Sequence, residues 1–262
     1  MRIIVCVKQV PSEGRVRVDP QTGTLVRDGR FSVINPFDLA ALETAVQLKE
    51  RFGGCISVLS MGIPATAELL RDLIARGADD AVLLTDRLFA GADTLATSYT
   101  LSLGIQSLGG ADLILCGRMA VDGDTAQIGP ELAETLDLPH VCNVAEVLET
   151  SEQAITVRAL EDGGSVVLRM ALPGVVTLAR EAAQPRFPSI AGLRRGWNAE
   201  IQRLDAAALC ADSARTGRAG SPTRVVRTFT PEHAAAEPPA VLSPEEAALR
   251  ILNLWKEAGG ND

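Results

Sequence analysis

Four short apolar runs, separated by stretches of helical spacing, dominate the first 138 residues and restrict this chain to very few folds. The runs are Arg2–Val7, Cys55–Ser60, Ala81–Thr85 and Leu113–Cys116, bounded by turn residues as buried strands are. After the first, Asn35-Pro36 reads as a helix start. Asn35 suits the cap, Pro36 the first position, and Asp38 the positive end of the dipole. Leu39, Leu42, Ala45, Val46 and Lys49 then recur at helical spacing until Gly53-Gly54. A second helix carries Leu69, Leu70, Leu73 and Ile74 and stops at Gly77, and a third, Thr94–Leu108, has Asp93 as its cap. A β-hairpin excursion is expected from Val16–Val18 and Thr24–Arg27. Strands that alternate with helices run mostly parallel, with helices on both faces. The expectation is an α/β fold with a mostly parallel, doubly wound sheet, whose ligand crevice lies beyond the carboxyl ends of the strands. The turns at Cys6–Gln9, Ser60–Gly62 and Gly117–Gln127 would converge there.

Beyond Pro139 the character changes. His140–Leu148, Ala154–Leu160, Ser165–Ala171 and Val175–Ala179 read as strands, with Glu161-Asp162-Gly163-Gly164 as a hairpin turn. Arg180–Gly220 is rich in Arg, Ala, Pro and Gly and shows little periodicity. Ser221–Pro231 reads as extended and Ser243–Ala258 as a final amphipathic helix. The chain is thus expected to divide into an α/β domain over residues 1–184 and a C-terminal arm over 185–262. So weak a core in the arm suggests either packing against another protein or an arm laid over its own domain.

Composition narrows the function. A net charge of −8 without a basic tract argues against nucleic acid and anionic membrane as partners. Aromatic content of 3% argues against a base-stacking platform. No apolar run reaches the roughly 20 residues of a membrane span, and the one at the N-terminus is too short for a signal peptide, so a cytoplasmic location is expected. Of Cys6, Cys55, Cys116, Cys142 and Cys210, four sit in or beside apolar runs and are expected as buried free thiols. With no CxxC pair and only His140 and His233, neither a zinc site nor a Cys–His nucleophile is supported. No acid–base pair for hydrolysis stands out either, and no catalytic residue is assigned.

The chemistry is expected in the loop after the fourth strand. Gly117, Arg118, Met119, Ala120, Val121, Asp122, Gly123, Asp124, Thr125, Ala126, Gln127 and Ile128 lead from that strand into a helix over Glu131–Leu138, with Pro130 suited to its first turn. Small residues between a strand and a helix let backbone N–H groups approach an anion, and the helix N-terminus adds a favourable dipole. Backbone N–H groups of Asp124–Gln127 and the Thr125 hydroxyl are the expected phosphate donors. Asp122 and Asp124 would repel a phosphate unless they point away, cap the helix or accept from ribose hydroxyls. An ordinary strand-to-helix turn capped by Asp124 or Thr125 is the other reading that these residues allow.

Several stretches together resemble the β subunit of electron transfer flavoproteins. They are IIVCVKQVP at Ile3, INPFDLAALETAVQLKE at Ile34, GADTLATS at Gly91, DLILCGRMAVDGDTAQIGPELAETLDLP at Asp112, RFPSI at Arg186 and SPTRVVRTFTP at Ser221. They are collinear and run from the first strand to near the C-terminus. The resemblance implies an adenine nucleotide α-hydrolase-like domain and an arm that wraps around a larger, FAD-carrying α subunit. It implies AMP in the β-subunit crevice in relay-type members, or a second FAD, with NADH docking near it, in electron-bifurcating ones. DGDTAQIGP resembles the bifurcating version, differing from its typical form at Ile128, where Val is usual. Met119 departs from the Gln common in related sequences. Carried over by position, nucleotide contacts are expected from Cys6, from Asn35, Pro36, Phe37 and Asp38, from Met61, and from Gly117–Ile128, with Asn35 or Asp38 toward ribose or adenine. RFPSIAGLRRG corresponds to the loop that touches acyl-CoA dehydrogenases. There Ile190 falls at the apolar anchor, with Arg186, Arg194 and Arg195 as a basic rim. A nucleotide-binding regulatory module without a redox role is the competing class.

Overall fold

A computed structural model describes residues 1–12, 32–226 and 241–258. The hairpin expected over 16–27 lies outside the described residues. Just beside it, β2 (Gln9–Pro11) and β3 (Ser32–Ile34) pair antiparallel. The main sheet has nine strands among the described residues. β1 (Arg2–Cys6) is flanked by β4 (Cys55–Met61) and β6 (Leu113–Gly117), and β5 (Asp80–Leu84) lies outside β4. On the other side β10 (Gly174–Leu178) follows β6, then β7 (His140–Thr150), β8 (Ala154–Glu161) and β9 (Gly164–Ala171). Pairings from β5 across to β7 are parallel, and β7–β8 and β8–β9 are antiparallel. The doubly wound expectation holds.

Alternation along each strand builds the two helical layers, because successive side chains point to opposite faces. Ile3 and Val5 pack with Leu42 and Val46 of α1 (Pro36–Phe52) and Leu70 and Leu73 of α2 (Thr66–Arg76). Ile4 and Cys6 pack with Leu101 and Ile105 of α3 (Thr94–Ser107) and Leu132 and Ala133 of α4 (Ile128–Leu136). Asp93 caps α3 by accepting from the Ala96 N–H at 3.1 Å, as its position in sequence suggests. Asn35 stands at the cap of α1 but makes no side-chain capping bond, having been drawn into other work.

One compact unit spans Met1–Val226. RFPSIAGLRRG is not simply a loop: residues from Ile190 on form the helix α5 (Ile190–Trp197). β11 (Gln202–Leu204) then adds to the free edge of β5. A second unit, Arg227–Asp262, contains α6 (Pro244–Glu257), which opens with a capping box between Ser243 and Glu246. Two cysteines rather than four are buried, Cys6 and Cys116, while Cys142 is half-buried and Cys55 and Cys210 lie exposed at strand and loop ends. Among the described residues, no helix is long and apolar enough to cross a membrane, and no cluster of metal-ligating side chains occurs.

Candidate functional site

The chain runs from β1 to β4 and outward to β5, then returns across the sheet to place β6 on the other side of β1. Strand order therefore reverses between β1 and β6, where the connecting loops splay apart and a ligand crevice opens at the carboxyl ends. Cys6 and Cys116 are register partners at this point. The loop Gly117–Ile128 leaves β6 directly above them.

That loop is built as a cradle. The N–H groups of Gly123 and Asp124 both donate to the Ala120 carbonyl, at 3.2 and 2.8 Å, closing a tight turn. Asp124 and Ala126 then adopt left-handed backbone, with φ of 50° and 54°. For alanine this costs about 1 kcal/mol, and such strain concentrates where backbone groups must be aimed. Among the described residues, the N–H groups of Thr125, Ala126 and Gln127 have no protein acceptor. α4 begins immediately after, with Gln127 at its cap and no side chain capping it, so neither Asp124 nor Thr125 takes that role. The result is a run of outward backbone donors continuous with the positive end of a helix, a geometry suited to phosphate. Asp124 drops out of the expected donor set, because its N–H is already bonded to Ala120.

The carboxylates that seemed to oppose an anion are accounted for in part. Asp122, mostly buried, forms an ion pair with Lys8 Nζ at 2.6 Å, so its charge is held against the turn after β1. Asp124 stays exposed. Gly117 lets the start of α1 come close: a Cβ there would collide with the Asp38 carboxylate and with Phe37. Gly129 plays the same part for α4, where a Cβ would run into Thr177 of β10. Glu131 ties α4 to α3 by accepting from the hydroxyls of Thr94 at 2.9 Å and Ser98 at 3.1 Å.

Asn35 and Asp38 sit behind the cradle, with relative exposures of 1% and 5%. Asp38 Oδ2 accepts from the Lys8 N–H at 2.7 Å, and Oδ1 accepts from Asn35 Nδ2 at 2.9 Å and the Gly117 N–H at 3.1 Å. Asn35 Nδ2 also donates to the Met119 carbonyl at 2.8 Å, and its Oδ1 accepts from the Val121 N–H at 3.3 Å. Burial pushes the Asp38 carboxyl up to about 7, while the bonds from Asn35, Lys8 and Gly117 and the Lys8 charge pull the other way. All three of its partners are N–H donors, an arrangement made for the ionised form. Below it, the hydrogen bond with Cys6 and then burial raise the Cys116 thiol, which stays protonated.

The structure thus brings most of the expected residues to one end of the sheet, in different roles. Arg118 is exposed and fixed through its backbone, its N–H donating to the Leu178 carbonyl at 2.8 Å. Pro36, Phe37, Met119, Ala120 and Ile128 are half-buried, and the Val121 side chain is exposed. Cys6 is buried toward α3 and α4, and Met61 packs partly buried on the same layer. The motif did not single out Lys8, Thr94, Ser98 or Glu131, whose partners lie 33 to 114 residues away.

A second surface feature stands on α5 and the segment just before it. Phe187, Ile190 and Trp197 are 91%, 88% and 86% exposed. Of the basic rim expected around Ile190, Arg186 is tied inward. Arg186 bonds Glu43 through Nε and Nη2, both at 2.9 Å, and pairs with Glu50 as well. Arg195 Nη2 donates to the Ile74 carbonyl at 2.6 Å, yet both Arg194 and Arg195 are exposed. Burial raises the Glu43 carboxyl, but its bonds from Arg186 and Gln47 outweigh that and hold it below the usual range.

Comparison with known proteins follows the same line. The model of the electron transfer flavoprotein domain matches residues 22–209. The electron transfer flavoprotein subunit beta of Thermoanaerobacterium thermosaccharolyticum is 48% identical over 233 residues, covering 88% of each chain. The caffeyl-CoA reductase-Etf complex subunit CarD of Acetobacterium woodii is 42% identical over 232 residues, again 88% of each. Protein FixA of Bradyrhizobium diazoefficiens is 42% identical over 260 residues, 97% of this chain and 90% of that one.

Proposed function

Since this chain belongs to the electron transfer flavoprotein family as a β subunit, and its role is therefore electron transfer alongside an α subunit, we propose that its crevice holds FAD as a second flavin for bifurcation. The carrying observation is the cradle at Thr125, Ala126 and Gln127, whose N–H groups have no protein acceptor among the described residues. These donors, those of the first turn of α4 and the Thr125 hydroxyl would take the phosphates. Gly123, Thr125 and Ala126 are small and line an exposed loop, which leaves space beyond the first phosphate for the second half of a dinucleotide. A bound flavin would supply one- and two-electron redox chemistry. The chain itself contributes no acid or base to that step: it binds, orients and holds the cofactor near its partners.

NADH is the proposed two-electron donor beside this site. The apolar tip at Phe187, Ile190 and Trp197 is the proposed docking surface for an acyl-CoA dehydrogenase or another redox protein. The exposed apolar side chains would supply the affinity, and a relative named as part of a caffeyl-CoA reductase-Etf complex supports a CoA-ester enzyme as the partner class.

The test is to co-express the chain with its α partner and count FAD and AMP per heterodimer after denaturing release. Two FAD and no AMP supports the proposal. One FAD with one AMP would replace it with a relay-type subunit holding a structural nucleotide. No adenine nucleotide beyond the α-subunit flavin would mean that the cradle serves another anion, as a regulatory module might use it.

A further inference from the structure

We infer that Asn35 and Asp38 are positioning residues: they hold the nucleotide cradle from behind through its backbone and do not touch the nucleotide. The inference rests on the reading of Gly117–Ile128 as a nucleotide site, and it reassigns two residues that the family motif would place toward ribose or adenine.

Spent donors and burial together close both side chains to a ligand. The described structure gives Asn35 two donor bonds and one acceptor bond, all internal: Nδ2 to Asp38 Oδ1 and to the Met119 carbonyl, and Oδ1 from the Val121 N–H. An amide nitrogen has two hydrogens, so its donor capacity is spent. Asp38 accepts three N–H bonds, and at 5% exposure it has no open face. Asn35 Oδ1 and the Asp38 carboxylate keep unused lone pairs, but exposures of 1% and 5% close them to a ribose hydroxyl, and an adenine acceptor could reach Asn35 Nδ2 only by breaking a buried bond. Every one of these bonds except the Asn35–Asp38 bond itself ends on a turn that frames the crevice. Lys8 belongs to the turn after β1, and Gly117, Met119 and Val121 belong to the loop after β6. The pair lies at the start of α1 and so joins two adjacent strand ends across the switch point. Among the described residues, the charged and titratable groups that act on it are Lys8 from the turn after β1 and the buried Cys116 thiol from β6.

The test uses the α/β heterodimer and two readouts. In nucleotide-stripped protein, Asn35→Ala should raise amide exchange across residues 117–127 at least tenfold and leave Arg2–Cys6 unchanged. A ligand-contacting residue would leave exchange unchanged when no ligand is present, and that result overturns the inference. The second readout is affinity for AMP, 2′-deoxy-AMP and 1,N6-etheno-AMP. A positioning residue gives the same loss, about tenfold, for all three. A loss that shrinks toward onefold for either analogue would identify the ribose hydroxyl or the adenine edge as its contact and overturn the inference. Should Asn35→Ala fail to assemble, Asp38→Asn poses the same question, since its amide nitrogen would face the Lys8 N–H donor. If the parent heterodimer binds neither AMP nor FAD at this site, the cofactor reading fails, and the exchange result still decides whether the pair holds the loop.

Discussion

The cradle after β6 and the helix α5 both present something to the outside, and they do so in opposite ways. The cradle offers backbone: three N–H groups on strained chain that have no protein acceptor among the described residues, with the ionic side chains Asp122 and Asp38 held below. The α5 region offers side chains: Phe187 just ahead of the helix and Ile190 and Trp197 at its two ends stand almost fully exposed. In both places the polar and charged residues that look like contacts mostly serve as mountings. Asn35 and Asp38 hold the cradle. Arg186, bonded to Glu43, Glu50 and through its carbonyl to Arg76, holds the base of α5. A small anion is best met by pre-aimed dipoles, and a protein surface by apolar area, so each region buries what the other exposes.

The comparison breaks most severely at Gly117. Gly117→Ala drives a methyl group into the Asp38 carboxylate and Phe37. We expect a loss of about 2–3 kcal/mol in stability, read as a lower denaturation midpoint, together with loss of the crevice nucleotide. A variant that keeps both would show that the approach of α1 to β6 can relax without disturbing the cradle.

Next is Arg186→Ala, which strips the partner from Glu43, itself only 7% exposed. The expected cost is about 2 kcal/mol, below that of a fully buried pair because the guanidinium is partly solvated. The sign in pH follows from the lowered Glu43 carboxyl. Its contribution is complete above the ordinary glutamate range near 4.5 and fades as pH falls through the lowered value. The parent and the variant should therefore differ most at neutral pH and converge in acid. Equal differences at pH 7 and pH 3 would show that the pair contributes nothing.

Ile190→Asp should act on the other half of the comparison alone. The side chain is 88% exposed, so the melting temperature should move by no more than about a degree. Electron transfer with an acyl-CoA dehydrogenase should weaken ten- to hundredfold, the range of an anchor residue. An unchanged rate would remove the docking role from the tip, and a large stability loss would mean that Ile190 packs inside the protein.

The two regions were also unequally legible from sequence. Period and turn chemistry located β1, β4, β5 and β6 within a residue or two and identified Asp93 as a cap, because those elements obey local rules. The cradle was found as a loop of small residues, but its mountings were not. Asn35 carries the signature of a helix cap, and only the neighbouring loop, 84 residues on, shows that its amide is spent on Met119. α5 was missed as a helix for a related reason. Gly192 and Gly196 lower its intrinsic propensity, yet they are what lets it lie against α2, where a Cβ on either would strike the backbone of Ala75 or Arg71. Tertiary contact chose a conformation that the local sequence disfavours. β11 is three residues long and exists only because β5 offers an edge.

The smallest effect expected is also the most direct probe of what the cradle costs. Ala126 sits at φ 54°, where an alanine Cβ crowds the following carbonyl and glycine does not. Ala126→Gly should remove about 1 kcal/mol of strain, and the greater freedom of glycine in the unfolded chain should return part of it. A net gain of about 0.5 kcal/mol is expected, visible as a slightly higher denaturation midpoint. The substitution leaves the N–H in place, so nucleotide affinity should stay within about twofold. A destabilised Ala126→Gly would mean that the left-handed turn is not strained at this position, and the functional argument from strain would lose its footing. A stabilised variant that binds nucleotide several times more weakly would be more informative still. It would show that the alanine is kept for rigidity, to hold three donors aimed at one point before any ligand arrives.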